Sequence, residues 1–406
     1  MFQPSTFPPV SLPGRLVFFQ RFALLVTCAA LITAPACGDP GEGPTKDAGL
    51  EGDAAAHPDS AVPRDAQTDS GPRADAEPSS DAEPSSDAST DAGPERVFGV
   101  TVTDPWVASS PSSLLTDKLG GLIGAGGRLP TARVVFDEGV AASEYVDLVS
   151  NLTPHARVMG ELLDSLYVPT LTLDGYRERA CEYREALGDQ VDLWEVGNEV
   201  NGEWLGDGVI EKLAAATAVL KADAPGFASL CPGRSLLPGE KPIRLALTLY
   251  YNGPYNGGVA SADNCWAEAG HAMERWVETQ LATPGSIGAD EIAPQLDYVL
   301  VSYYEEDCAG IQPDWPSVFD QLGVAFPAAR LGFGECGTEN SSTKLALVER
   351  YYRGMDLPDA QYANMHVTHP RFVGGYFWWY FSEDLDDAAV YGALGGALSG
   401  PFWALP

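Results

Sequence analysis

The 406-residue sequence carries a formal charge of −33, with 57 acidic against 24 basic side chains. That balance argues against the cationic surfaces that bind nucleic acid or anionic lipid headgroups. It suits an exported protein acting on a neutral or cationic ligand, or one whose charge simply keeps it in solution. The composition changes sharply near Arg96, and three segments follow: residues 1–37, 38–95 and 96–406.

Residues 1–37 have the form of an export signal. Arg15 and Arg21 precede the apolar run Phe22–Ile32, and small residues lead into Cys37. The run is too short to remain as a bilayer-spanning helix. The stretch Thr33-Ala34-Pro35-Ala36-Cys37 resembles a bacterial lipoprotein cleavage site. The resemblance implies that the Cys37 thiol is acylated and that the chain is tethered at the cell envelope, on the outer membrane or the cell surface. Plain secretion and use of Cys28 are the alternatives.

Residues 38–95 consist mainly of Asp, Ala, Pro, Ser and Gly. Asp75-Ala76-Glu77-Pro78 recurs as Asp81-Ala82-Glu83-Pro84. From Asp39 to Glu95 there are fifteen acidic and three basic residues, a net of −12; with Arg15 and Arg21 set apart, −23 remains for the rest. Such a stretch cannot bury enough apolar surface to offset chain entropy, and like charges and prolines extend it. It is expected to be a disordered spacer.

From Val97 onward, apolar β-rich runs alternate with helical stretches, the pattern of a parallel sheet. Eight strands are expected: Val97–Thr103, Thr131–Asp137, Arg157–Leu163, Gln190–Val196, Ile243–Tyr250, Leu296–Tyr303, Ala329–Gly334 and Gly375–Phe381. Most are continuous apolar runs, as in strands covered on both faces. The helical stretches between them include Ala141–Thr153, Leu173–Leu187, Gly208–Asp223, Ala267–Leu281 and Ser342–Met355. The glycine-rich segment Gly121–Gly127 follows a helix rather than a strand, so it reads as a loop and not as a phosphate cradle. Eight βα units without that cradle predict an α/β fold, a (β/α)8 TIM barrel, which takes about 250 residues.

Reactive groups of such barrels sit at the C-terminal ends of the strands. Strand four ends in Gly197-Asn198-Glu199 and strand seven in Gly334-Glu335. These strands lie on opposite sides of an eight-stranded barrel, so both carboxyls can face a central cleft. Two carboxyls flanking one bond are what glycosidic cleavage needs: one protonates the leaving oxygen, and the other attacks the anomeric carbon or activates water. Glu195, Glu203 and Glu339 are the competing acids.

Gly197-Asn198-Glu199 and Gly334-Glu335, with Gly375-Tyr376-Phe377-Trp378-Trp379 on strand eight, resemble glycoside hydrolase clan A, the retaining TIM-barrel glycosidases. The resemblance implies that Glu199 is the acid/base and that Glu335 is an ionised nucleophile. It places the two carboxyls about 5–5.5 Å apart, with retention of configuration. Asn198 would hydrogen-bond the sugar 2-hydroxyl. Tyr303, chosen over Tyr304 by strand alternation, would hydrogen-bond the nucleophile, and Arg133 would steady it. Trp379 rather than Trp378 would floor the sugar site. Asp137, with Glu138, ends strand two, and Tyr250, Tyr251 and Asn252 end strand five; these would contact sugar hydroxyls, and Trp204, a stacking surface after Glu199, completes the expected cleft.

The resemblance implies a neutral, β-linked oligo- or polysaccharide as substrate, cleaved by double displacement. No cofactor, metal or nucleic acid is expected, the membrane is contacted through the lipid anchor alone, and the chain is expected to act as a monomer. A carbohydrate-binding lipoprotein without turnover is the alternative from another class. His57, His155, His271, His366 and His369 have no ligand spacing, and no lysine stands at a strand end, which disfavours metal-dependent hydrolysis and Schiff-base chemistry. Cys181 is expected to pair with Cys231 between helices and Cys265 with Cys308 between loops, leaving Cys336 buried and free.

Overall fold

The computed structural model describes residues 95–103, 112–124, 127–307, 310–354 and 365–404. Cys37, the export-type segment and all of the acidic stretch but Glu95 lie outside the described residues, as do Cys308 and Met355. The chain divides into two units, Met1–Pro84 and Ser85–Pro406, and all the described residues belong to the second.

Eight parallel strands close in sequence order into a barrel. They are β1 (Val97–Val102), β2 (Thr131–Val135), β3 (Arg157–Glu161), β4 (Leu193–Gly197), β5 (Leu245–Tyr250), β6 (Tyr298–Ser302), β7 (Arg330–Glu335) and β8 (Phe372–Trp378). All eight overlap the strands expected from the sequence. The helix Leu173–Leu187 has the expected bounds, and its Thr172 cap accepts from the Gly175 N–H. No described helix is long and apolar enough to cross a membrane.

Strand alternation sorts the buried residues into two layers. Phe98, Val100, Ala132, Val134, Val158, Trp194, Val196, Leu247, Val299, Val301 and Phe333 belong to the large core between barrel and helices. Met159, Leu193, Ala246, Tyr298, Leu300, Val373 and Phe377 form a separate apolar plug inside the barrel. Further along the same inward-facing rows stand Thr101, Arg133, Glu161, Glu195, Thr248 and Ser302, all fully buried. The barrel is therefore apolar at one level of its interior and polar at the level where β4 and β7 end.

Three expected elements differ. The stretch expected as helix Ala267–Leu281 is broken into Ala269–His271, Met273–Trp276 and a wider turn over Val277–Leu281. Side chains compete for its backbone: Asn252 Oδ1 accepts from the Met273 N–H at 3.1 Å, and Asn252 and Asn201 both donate to the His271 carbonyl. The expected helix from Ser342 is confined to Lys344–Val348, continued by a wide turn over Glu349–Arg353. Strand eight lies three residues earlier than expected at each end, because Trp379–Phe381 forms a separate turn. Gly374, Gly375, Tyr376 and Phe377 all have positive φ, and the pairing of β8 shifts register with both neighbours.

A disulfide joins Cys181 to Cys231, from helix Leu173–Leu187 to the end of helix Ala224–Leu230. Cys265 is also disulfide-bonded, and Cys336 is buried and free.

Candidate active site

Glu199 follows β4 by two residues, with a φ of +48° that a non-glycine residue adopts only when its surroundings force it. The surroundings are the Val200 N–H donating to the Thr248 carbonyl and the Gly202 N–H turning back to the Glu199 carbonyl. Its carboxyl is thereby turned to the top of the barrel. Ser302 Oγ, at the end of β6, donates to Glu199 Oε1 at 2.7 Å. Ser165 Oγ, from the turn after β3, donates to Oε2 at 3.1 Å. Trp204 Nε1 in turn donates to Ser165 Oγ at 3.0 Å.

Glu335 is the last residue of β7, and like Glu199 it is 5 % exposed. Arg133 Nη1 donates to its Oε2 at 2.9 Å, and the Tyr304 hydroxyl donates to its Oε1 at 2.5 Å. Ser302 is in backbone register with Glu335, so the residue that holds the Glu199 carboxyl sits beside Glu335 on the next strand.

Arg133, in the middle of β2, reaches the site from below. Its Nε and Nη2 grip Glu195 of β4 at 2.6 and 3.2 Å. Thr248 donates to the same Glu195 carboxylate. This two-pronged grip fixes the plane of the guanidinium and leaves Nη1 for Glu335. Trp379 lies over it, with the ring centroid 5.6 Å from the guanidinium carbon. Trp378 instead is fully buried and donates to Asp384 at 2.9 Å.

Burial pushes the Glu335 carboxyl up, to about 8. Arg133 pulls it back, the charge of Glu199 pushes it up again, and the Tyr304 hydroxyl lowers it. Burial thus works against the ionised Glu335 that the resemblance implies.

The sequence-derived residues divide as follows. Glu199, Asn198, Glu335, Arg133, Trp204 and Trp379 gather at this end of the barrel. Asn198 is buried, and its Oδ1 accepts no hydrogen bond from the protein. Asp137 lies at the rim, where its carboxylate accepts from the Tyr145 hydroxyl at 3.0 Å. Tyr303 requires correction: its hydroxyl donates to the Ile311 carbonyl and its ring packs against Tyr251 and Trp315. The inward row of β6 is Tyr298, Leu300 and Ser302, so parity carries Tyr304, not Tyr303, to Glu335. Of the competing acids, Glu195 serves Arg133. Glu203 accepts from the Ala267 and Glu268 N–H groups, and Glu339 is exposed. Ser165, Ser302, Thr248 and Glu161 were not singled out from the sequence. Inward parity at the end of a strand is a signal that picks out Ser302, Thr248 and Glu161; Ser165 lies in a turn and has no such signal.

Among the described residues no cluster of His, Cys, Asp and Glu is arranged to hold a metal. A surface cavity of about 420 Å³, lined by Lys221, Arg244, Asp297, Tyr298 and Arg330, lies at the opposite end of the strands. It contains none of these acids.

No family model matches the chain. No curated protein matches it either. Solved structures that the chain matches include Saccharomyces cerevisiae Gas2p in complex with laminaritriose and laminaritetraose, at 11% identity over 76% of this chain and a TM-score of 0.43. The chain spans 65% of that structure's length. An endo-1,4-beta-mannanase from Rhizomucor miehei is 10% identical over 76% of this chain and 98% of its own, with a TM-score of 0.45. Virulence factor SghA from Agrobacterium tumefaciens is 13% identical over 75% of this chain and 97% of its own, with a TM-score of 0.40. At these values the likeness assigns no role to any residue.

Proposed function

We propose that the chain is a retaining glycoside hydrolase acting on a neutral, β-linked glycan. The observation that carries the reading is the bracketing of Ser302 by two buried carboxyls: its hydroxyl donates to Glu199, and its backbone is in register with Glu335. The motif resemblance at Asn198-Glu199 and Glu335 agrees with it.

Roles follow from the donors. Arg133 donates only and stays charged, so a proton on Glu335 Oε2 would face a cation. Glu199 is held by two serine hydroxyls, each able to turn and accept. In the reacting form the proton therefore sits on Glu199 and the charge on Glu335. Glu199 donates its proton to the departing oxygen while Glu335 attacks the anomeric carbon. The glycosyl ester neutralises Glu335, and Glu199, now a carboxylate, takes a proton from the water that cleaves the ester. Asn198 Oδ1 is a buried acceptor suited to a sugar hydroxyl, and the Trp379 ring offers the apolar surface that a pyranose face prefers.

The test is a panel of β-linked oligosaccharides and aryl glycosides, with the first-formed anomer read by NMR. Retention, lost together with turnover in Glu335→Gln, is expected; an inverted first product contradicts a nucleophilic Glu335. We further propose Cys37 as the acylation site, tested by incorporation of labelled palmitate into the full chain and its loss in Cys37→Ala.

A further inference from the structure

One buried acid has no part in that reaction. Glu161 closes β3, in register with Val135 of β2 and Glu195 of β4, and is fully buried. Neither of its carboxyl oxygens accepts a hydrogen bond from the protein. Arg133 Nη2 lies 3.1 Å from Oε2, but its hydrogen bond goes to Glu195 instead.

The charges do not balance if every acid here is ionised. One guanidinium faces Glu161, Glu195 and Glu335, which would leave two uncompensated negative charges in a dry interior. The donors show which acid is least able to hold a charge. Glu195 has two prongs of Arg133 and the Thr248 hydroxyl. Glu335 has Nη1 and the Tyr304 hydroxyl. Glu161 has none.

We propose that Glu161 is held as a neutral carboxylic acid, and that its neutrality is what leaves the Arg133 guanidinium aimed at Glu335. The second half rests on the reading of Glu335 as nucleophile; the first does not. The groups facing Glu161 are Arg133 from β2, Glu195 from β4, Asp164 from the turn after β3, and Glu335 from β7. Burial drives its carboxyl well above the usual range, Arg133 opposes that, and the neighbouring carboxylates reinforce it. When Glu161 ionises at high pH, it competes for Nη2, and the guanidinium swings away from Glu335. Glu161 is thus a positioning residue whose ionisation closes the alkaline side of the activity profile.

The experiment compares the wild-type protein with Glu161→Gln and Glu161→Met, both neutral. A carboxyl raised on folding contributes stability that disappears as pH rises, so both variants should melt above wild type at alkaline pH, with the gap closing as pH falls. Melting below wild type at neutral and alkaline pH would show Glu161 to be an ionised partner of Arg133, and overturns the proposal. So does failure of both neutral variants to fold. The alkaline limb of kcat/KM should move up by about one unit or more in Glu161→Gln. A raised alkaline melting temperature with an unmoved limb overturns the control of Arg133. Should no glycoside be turned over at all, the melting comparison still decides the state of Glu161, separately from the fate of the functional reading.

Discussion

Ser302 donates its hydroxyl to Glu199 at 2.7 Å while its own backbone runs in register with Glu335. The end of one strand therefore holds one carboxyl and borders the other. In the proposed reaction Glu199 serves as acid, and the need for an acid depends on the leaving group. Glu199→Gln should slow hydrolysis of an unactivated oligosaccharide by about 10²–10⁴-fold, the usual contribution of a general acid. Aryl glycosides with strongly acidic phenols should be cleaved with a much smaller loss in the first step. Equal losses for both substrates, in pre-steady-state measurements, would remove Glu199 from that role.

Tyr304 and Tyr303 give a paired prediction. Tyr304→Phe removes a 2.5 Å hydrogen bond to Glu335. Bonds to a charged group contribute about 1.5–3 kcal/mol, so kcat should fall about 10–100-fold. The Tyr304 hydroxyl also lowers the Glu335 carboxyl, so the pH profile should move upward. Tyr303→Phe loses a bond to a backbone carbonyl on the outer side of the barrel, and its catalytic parameters should stay near wild type. The reverse pattern would restore the alternation first read from the sequence.

That pair also shows how far the sequence could be read. The barrel was legible because eight apolar runs alternate with helical ones, and Glu199 and Glu335 because each closes a strand. The choice between Tyr303 and Tyr304 depended on which parity of β6 faces inward, and that is set by Tyr298, Leu300 and Ser302 packing inside the barrel. Strand eight was displaced because positive φ at four successive residues is a tertiary feature with no periodic signature. Glu195 offered two readings in the sequence, and only its grip on Arg133 shows which holds. Ser165 was invisible, since its use depends on a turn carrying it to Glu199.

The irregularity of β8 leads to a stability prediction. Gly375 has a φ of +95°, and a Cβ there would lie 2.0 Å from the Phe333 carbonyl oxygen. Backbone is the obstacle, so no side-chain rotation relieves it. Gly375→Ala should abolish folding or lower the stability by more than about 4 kcal/mol, the range of severe substitutions. Gly395, inside helix Ala388–Ala397, has open space around it. Gly395→Ala should raise stability by up to about 1 kcal/mol through helix propensity. Denaturant melts of the two variants measure both, and a mild Gly375→Ala would mean that β8 can pair without its bend.

Glu335 should also show that the site is held against the stability of the fold. Its carboxyl is pushed up to about 8, against about 4.3 in an unfolded chain. For a group raised on folding, the stabilising contribution is complete below the unfolded value and is lost as pH climbs through the folded one. Wild type should therefore lose stability between about pH 4 and pH 8 on account of this group, and Glu335→Gln, which does not titrate, should not. The two proteins should melt alike at the acid end, and the variant should melt higher above pH 8, by an amount equivalent to a few kcal/mol. Arg133 remains paired with Glu195 and close to Glu161 in that variant, so the substitution leaves no solitary buried cation. If Glu335→Gln instead melts below wild type at alkaline pH, the attraction of Arg133 outweighs burial, and Glu335 is ionised throughout.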